Sequence, residues 1–373
     1  MIVGARASLQ VRGRCTILNR RKINPGIESD PKEHARGRRR SLLDRIAGRS
    51  LDGGMQDTGD FNDRVSDAPS DNWVYRILPP WLWPYAQLAR WDRPIGWQLL
   101  MWPCFWSATL AANAAIDEGL YSGSLLVSHL ILYFIGAVAM RGAGCTYNDL
   151  VDHEIDMQVA RTRSRPLPSG RVTRAHAKIF IGLQALVGLF VLLQFNWFTV
   201  FLGLLSLGIV ALYPYAKRFT DWPQFYLGLA FSWGALMGWA GILGEISFAS
   251  VLLYAASVAW TIGYDTIYAH QDKEDDELIG VRSTARLFGD RTRAWLIGLY
   301  GLTLVLMFVA FALAGANLIA FLALLGAAGM FAWQIVRLDI EDAAQCLALF
   351  KSNNRVGLII FFGLFISLLF AIP

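Results

Sequence analysis

Ser124–Thr146, SLLVSHLILYFIGAVAMRGAGCT, runs directly into Tyr147-Asn148-Asp149-Leu-Val-Asp152-His153-Glu154-Ile-Asp156. The first part has the length and apolar character of a bilayer-crossing helix. On a helix Asp149, Asp152 and Asp156 fall at i, i+3 and i+7 and share one face, with Asn148 one turn from Asp152. Charges of this density beside hydrocarbon are costly and by default functional. A second set, Asp265-x6-Asp272-x3-Asp276, closes another apolar stretch and again keeps to one helical face. Carboxylates one turn apart destabilise each other without a counter-charge. A hard divalent cation such as Mg2+, held by one or two carboxylates and by substrate phosphates, supplies one. The pattern therefore points to a metal-bound diphosphate at a membrane face.

The rest of the chain supports a polytopic membrane protein. Its 373 residues are 55% apolar and only 17% charged, and the mean hydropathy of +0.39 exceeds that of ordinary soluble domains. Apolar runs at about 95–115, 124–146, 177–194, 197–216, 225–243, 247–265, 294–314, 317–336 and 356–372 predict nine spanning helices. The connecting loops alternate in charge. Arg90 and Arg93 precede helix 1, Arg161 to Arg174 follow helix 2, Lys217 and Arg218 follow helix 4, Lys273 to Arg293 follow helix 6, and Arg337 to Arg355 follow helix 8. The loops between hold Asp117, Glu118 and Glu245 and no Lys or Arg. By the positive-inside rule the basic loops are cytoplasmic, and both acidic clusters open on that side.

Residues 1–72 read as a polar N-terminal extension, lacking persistent structure, ahead of a membrane domain at 73–373. Residues 1–54 carry a net charge of +8 and the remainder −3. The arm has no apolar stretch of the secretory kind, and Met55 would open a complete shorter protein. As an Arg-rich segment it also fits a mitochondrial transit peptide, against which Glu28, Asp30, Glu33 and Asp44 count. A nucleic-acid partner is not expected. The expected location is a bacterial cytoplasmic membrane with the sites facing the cytoplasm, and a mitochondrial inner membrane is the alternative. The four cysteines show no paired spacing, so disulfide or zinc frameworks are not expected.

Behind the first cluster, Arg161-Thr-Arg-Ser-Arg165-Pro-Leu-Pro-Ser-Gly170 offers guanidinium forks that suit diphosphate oxygens. Arg282-Ser-Thr284 offers another behind the second. Lys217 and Arg218 are candidates for an anionic co-substrate, with an interfacial snorkelling pair as the equal alternative. Asp92 reads as the N-cap of helix 1. Tyr147, Tyr264 and Tyr268 lie within the acidic segments, where ring faces can stabilise a carbocation, though packing explains any one of them. With oxygen donors dominating, His153 and His270 are read as outer-sphere or incidental.

Asn148-Asp-Leu-Val-Asp-His-Glu-Ile-Asp156 with Arg161-Thr-x-x-Arg165-Pro-Leu-Pro-Ser-Gly resembles the first aspartate motif of the UbiA superfamily of intramembrane prenyltransferases. Tyr264-Asp-Thr-Ile-Tyr-Ala-x-x-Asp272-x-x-Asp-Asp276, followed by Gly280-Val-Arg-Ser-Thr-Ala285, resembles the second, in the form used by its 4-hydroxybenzoate branch. Asp92-Arg-Pro-Ile-Gly96 and Tyr213-Pro-Tyr-Ala-Lys-Arg218 resemble the same branch. The resemblance implies an all-α bundle of about nine transmembrane helices around a central cavity with a lateral opening. It implies Mg2+-dependent transfer of an all-trans polyprenyl group from polyprenyl diphosphate to the ring carbon ortho to the hydroxyl of 4-hydroxybenzoate, in ubiquinone biosynthesis. Asn148, Asp149, Asp152, Asp156, Asp265, Asp272 and Asp276 would then hold the metal. Arg161, Arg165, Arg282, Tyr264 and the pair Lys217 and Arg218 would meet the substrates, the pair facing the benzoate carboxylate. An association with other ubiquinone-biosynthesis enzymes is a further expectation. The alternatives are another acceptor (homogentisate, a naphthoate or haem) and, in a different class, a cation-coupled transporter.

Overall fold

The structure, a computed structural model, describes residues 65, 72–117, 119, 122–158, 162–273 and 282–372, with Asp117 and Asp272 described by their backbones alone. Among the described residues nine helical rods account for most of the chain. These fall in one unit, Asp63–Pro373; the proposed N-terminal extension lies outside the described residues apart from Val65 and Asn72. The rods are α1 (Ile95–Asp117), α2 (Gly123–Val151), α3 (Arg174–Leu192), α4 (Trp197–Phe219), α5 (Pro223–Leu243), α6 (Phe248–Ala269), α7 (Thr284–Leu313), α8 (Leu318–Arg337) and α9 (Ala343–Ala371). Among the described residues, eight are long and apolar enough to cross a membrane. The ninth, α6, has 22 residues and is less apolar because it carries Ser250, Ser257, Thr261 and Thr266, all buried inside the bundle.

Local sequence explains where the rods begin. Thr173, Asn196, Ser247, Asn317 and Asp342 each accept a hydrogen bond from a first-turn backbone N–H of the following helix, which satisfies donors that lipid cannot. Ser247 and Ser250 form a reciprocal capping box. Two rods extend beyond their apolar runs. α2 continues to Val151 and so carries Asn148 and Asp149 in its last turns. α9 begins at Ala343, well ahead of the apolar run, because its polar first half faces protein. There Asn353 accepts from Trp260 Nε1 and Asn354 from Trp102 Nε1, both at 2.9 Å.

The helix pairs α1–α5, α6–α7, α2–α3, α8–α9, α5–α6 and α1–α9 build the bundle. Small residues permit the closest approaches. A Cβ on Gly238 of α5 would lie 2.5 Å from the Cys104 carbonyl oxygen of α1, and one on Gly357 of α9 would lie 2.2 Å from the Trp102 ring. This is the small-residue packing expected where lipid offers no hydrophobic drive between helices. Cross-helix hydrogen bonds reinforce it, including Trp106 Nε1 to the Gly357 carbonyl and Tyr133 hydroxyl to the Met237 carbonyl. Trp106, Trp260, Tyr264, Tyr300 and Phe331 fill the core, while Ile179, Leu183, Leu186 and Phe190 form an exposed stripe along α3. That stripe is the lipid-facing surface of a spanning helix.

Candidate active site

The α2 helix ends at Val151 because Asp152 adopts a non-helical φ of −95° and ψ of 8°. A single further turn, His153–Asp156, follows. Despite the break Asp149, Asp152 and Asp156 are all buried, 1, 2 and 6% exposed, and each is met by a cation. Arg90 donates from Nη2 to both oxygens of Asp149, at 2.7 and 2.9 Å. It does so from a left-handed backbone, φ 58°, the one positive φ on a non-glycine among the described residues; strain of this kind is held where the surroundings dictate a geometry. Arg165 donates to Asp156 at 3.1 Å and lies 3.4 Å from Asp149. The turn behind it, closed by Val172 N–H to the Pro166 carbonyl and by Gly170 at φ 76°, aims it there. Lys217 donates to Asp152 Oδ2, and Arg218 lies 3.8 Å from Asp152 Oδ1, an atom that is buried and accepts no hydrogen bond.

Asp156, beyond the end of the span, has its carboxyl pushed above the usual range. Burial is the main cause and the neighbouring Asp149 and Asp152 add to it, outweighing the opposing pull of Arg165 and Lys217. The cluster is thus charged to its limit with the cations it has.

Asn148, Asp149, Arg165, Tyr264 and Asp265 line one cavity of about 1120 Å³ enclosed mainly by α1 to α6 and α9. One carboxylate from each acidic segment, Asp149 and Asp265, therefore lies on the wall of this cavity, joined by Arg141, Tyr268, Lys351 and Asn354. From there the lining turns apolar through Met140, Leu189, Leu207 and Met237 to the stacked rings of Tyr133 and Phe195. Between Asp149 and Tyr133 on α2 this is about 24 Å, at 1.5 Å of rise per residue. Tyr264 is buried against Trp260, ring centroids 5.0 Å apart.

Three loop cations stand elsewhere than the sequence suggested. Lys217 and Arg218 are engaged with Asp152 and do not line the cavity, so they are not placed to receive a carboxylate there. Arg282 turns to the Phe219 carbonyl (3.4 Å) and Asp221 (3.8 Å), outside the cavity. Its neighbours Ser283 and Thr284 are used as a helix cap and in a hydrogen bond to Thr266. Tyr147 reaches the Ala211 carbonyl and does not line the cavity. Asp92 pairs with Arg93 at 3.1 Å and lies on the cavity wall. His270 bonds Thr292 at 3.0 Å. Its pKa is lowered to about 4, chiefly by burial and then by Lys273, so it is neutral at physiological pH. Arg161 and Asp276 lie outside the described residues, and Asp272 ends a short 3-10 turn after α6.

Two site residues escape sequence reasoning. Arg90 counts in the sequence as a topology charge, yet it holds Asp149. Arg141 falls inside an apolar span, where a lone arginine is itself a functional signal. Its guanidinium stacks over Phe231 at 4.9 Å, is a charged neighbour of Asp265, lines the cavity and keeps a buried Nε with no hydrogen bond.

Among the described residues no three His, Cys, Asp or Glu groups sit close enough to hold a metal by themselves. The donors nonetheless suit Mg2+ in kind, being oxygens only: Asn148, Asp149 and Asp265 line the cavity, whereas Asp152, whose Oδ1 accepts no hydrogen bond, and Asp156 do not line it.

Comparison with known proteins follows the same lines. The chain is 46% identical over 289 residues to a 4-hydroxybenzoate polyprenyltransferase, mitochondrial, of Aedes aegypti, covering 77% of this chain and 64% of that protein. To the protein so named in Arabidopsis thaliana it is 47% identical, covering 78% and 70%, and to that of Caenorhabditis elegans 44%, covering 82% and 84%. The fold matches a UbiA homologue from Aeropyrum pernix K1 with a TM-score of 0.60 at 23% identity, covering 72% of this chain and 97% of that one. It also matches a UbiA homologue from Archaeoglobus fulgidus solved with GPP and Mg2+, with a TM-score of 0.52 at 16% identity over 76% of this chain and 99% of that one. The pattern of the UbiA prenyltransferase family covers residues 100–369, which takes in both acidic segments and all nine rods except the start of α1 and the end of α9. With its multi-pass helical bundle and paired aspartate segments, the chain belongs to the UbiA prenyltransferase family.

Proposed function

We propose that the chain transfers an all-trans polyprenyl group from polyprenyl diphosphate to the carbon ortho to the hydroxyl of 4-hydroxybenzoate, a step of ubiquinone biosynthesis. The observation that carries this is one cavity, about 24 Å long from Asp149 to Tyr133 along α2, with carboxylates and guanidiniums at one end and apolar lining at the other. A diphosphate headgroup matches the first and an isoprenoid tail the second. The relatives' names supply the acceptor. The transporter alternative loses its ground, because these acids sit at or within a turn of helix ends rather than at the midplane.

Asn148, Asp149, Asp152, Asp156 and Asp265, with Asp272 and Asp276 from the following segment, are the proposed metal-holding residues. Mg2+ bound there would neutralise the departing diphosphate as a Lewis acid. Arg165, and Arg161 beside it in sequence, take the diphosphate oxygens, which pre-set donors stabilise as the allylic carbon–oxygen bond breaks. Tyr264 and Tyr268 flank the allylic cation and exclude water from it. The new bond forms between that carbon and the ring, and the displaced ring proton restores aromaticity as it leaves. Arg141, whose side chain belongs to the cavity wall, takes the benzoate carboxylate in place of Lys217 or Arg218.

Transfer to labelled 4-hydroxybenzoate in membranes containing the chain, with Mg2+ or EDTA, tests the reading. Product that needs Mg2+ and vanishes in Asp152→Ala, with the variant still in the membrane, is expected. Product with homogentisate or a naphthoate alone would overturn the acceptor, and none with any aromatic would overturn prenyl transfer. For location, the relatives' names favour the mitochondrial alternative over the bacterial membrane expected from sequence. Recovery of the full chain in a non-mitochondrial fraction would reverse that.

A further inference from the structure

A second cavity, of about 440 Å³, lies on the outer side of the bundle where α2 ends, α3 begins and α4 closes. It shares no lining residue with the large cavity. Arg174 and Lys178, at the first and second turns of α3, lie four residues apart and so on one face, and Arg218 stands across from them with Tyr147 and Tyr215. No acidic side chain lines this pocket among the described residues. Within the same residues neither Arg174 nor Lys178 has an ion-pair partner, whereas Arg218 lies 3.8 Å from Asp152 and stacks on Tyr215 at 5.3 Å.

Three cations and two phenols in one recess suit a phosphate. Their level decides which kind. Within two turns of Lys178 the outward face of α3 becomes apolar, with Ile179 61% and Leu183 57% exposed, so the recess sits where headgroups meet hydrocarbon. Basic pockets between spanning helices at this depth recognise anionic lipid headgroups, each charge contributing to the attraction. A soluble anion would use the cations and leave the apolar flank without a role. The geometry points to a binding site for the phosphate headgroup of an anionic phospholipid, its acyl chain lying along the exposed stripe of α3. Arg174 and Lys178 have no part in the proposed prenyl transfer, so a test through them needs no activity.

The full chain, purified in detergent, is offered phosphatidylglycerol or phosphatidylcholine, and bound lipid is counted by native mass spectrometry. Wild type is expected to prefer phosphatidylglycerol. Arg174→Gln with Lys178→Gln should weaken that preference about 30-fold, the loss of two surface-lipid charges, at an unchanged thermal midpoint. The charge-preserving swap Arg174→Lys with Lys178→Arg should retain it, which separates a lost headgroup contact from a damaged helix. Equal retention of the two lipids by wild type, or an undiminished preference in the Gln variant, overturns the proposal. Displacement of the lipid from wild type by millimolar inorganic phosphate would assign the recess to a free anion and overturn the lipid assignment.

Discussion

The two acidic segments meet in one cavity but are built differently. In the first, Asp149, Asp152 and Asp156 are each held by Arg90, Lys217 or Arg165 at contact distance. In the second, Asp265 has no ion pair among the described residues, and Arg141 acts on it electrostatically. The first segment therefore has its charges compensated before any ligand arrives, and its cations are part of the folded structure. In the second, Asp265 is left without such a partner and has Arg141 as its charged neighbour. A site assembled this way can be folded and stable while half of it still waits for the ligand's own charges.

The difference can be broken from either side. Arg90→Met leaves Asp149 buried beside Arg165 alone; unpairing a buried charge costs about 3–5 kcal/mol, so a large drop in thermal midpoint is expected, and an unchanged midpoint would show that the first segment is not compensated in this way. Asp265→Asn should do the opposite. With no ion pair to break it should fold normally yet lose about 10²–10³-fold in transfer rate, the size of one missing electrostatic contact in a transition state. A comparable loss of stability in Asp265→Asn would erase the distinction between the segments.

Arg141→Lys sharpens the comparison further. It keeps the charge and removes the planar fork, so KM for 4-hydroxybenzoate should rise about tenfold, roughly 1.4 kcal/mol, with KM for the diphosphate substrate little changed. If both constants rise together, Arg141 serves the second acidic segment and not the acceptor. The smallest effect concerns His270, which follows α6 and is kept neutral by burial. Its folded pKa of about 4 lies below the ordinary value of 6.5, so the unfolded chain binds more protons between those limits. Stability should therefore fall as pH drops from about 6.5 towards 4. His270→Gln, which keeps a hydrogen-bonding group opposite Thr292, should flatten that slope in pH-dependent melts.

Much of the site was legible because it obeys one-dimensional rules. Carboxylates three, four and seven residues apart share a helical face whatever the fold does, and apolar runs near the thickness of a bilayer have few other uses. The rule weakened where the helix stopped: Asp152 breaks α2, yet the short turn that follows still buries Asp156. It failed for Lys217, Arg218 and Arg282, because a basic residue in a loop carries no mark of its partner. Residue 141 illustrates the converse. A single guanidinium inside a hydrophobic run barely alters the average of the span, although its desolvation demands a purpose.

Sequence alone determined the membrane class, the spans, the common side of the two acidic segments and the oxygen-rich chemistry at their ends, because each follows from local spacing and from the cost of charge near lipid. Only the tertiary structure decided which cation holds which carboxylate, that Arg90 and Arg141 belong to the site, and that a 1120 Å³ cavity joins the segments. Those facts depend on contacts between residues as distant as Arg90 and Asp149, and such contacts exist only after helices have packed through glycines such as Gly238 and Gly357.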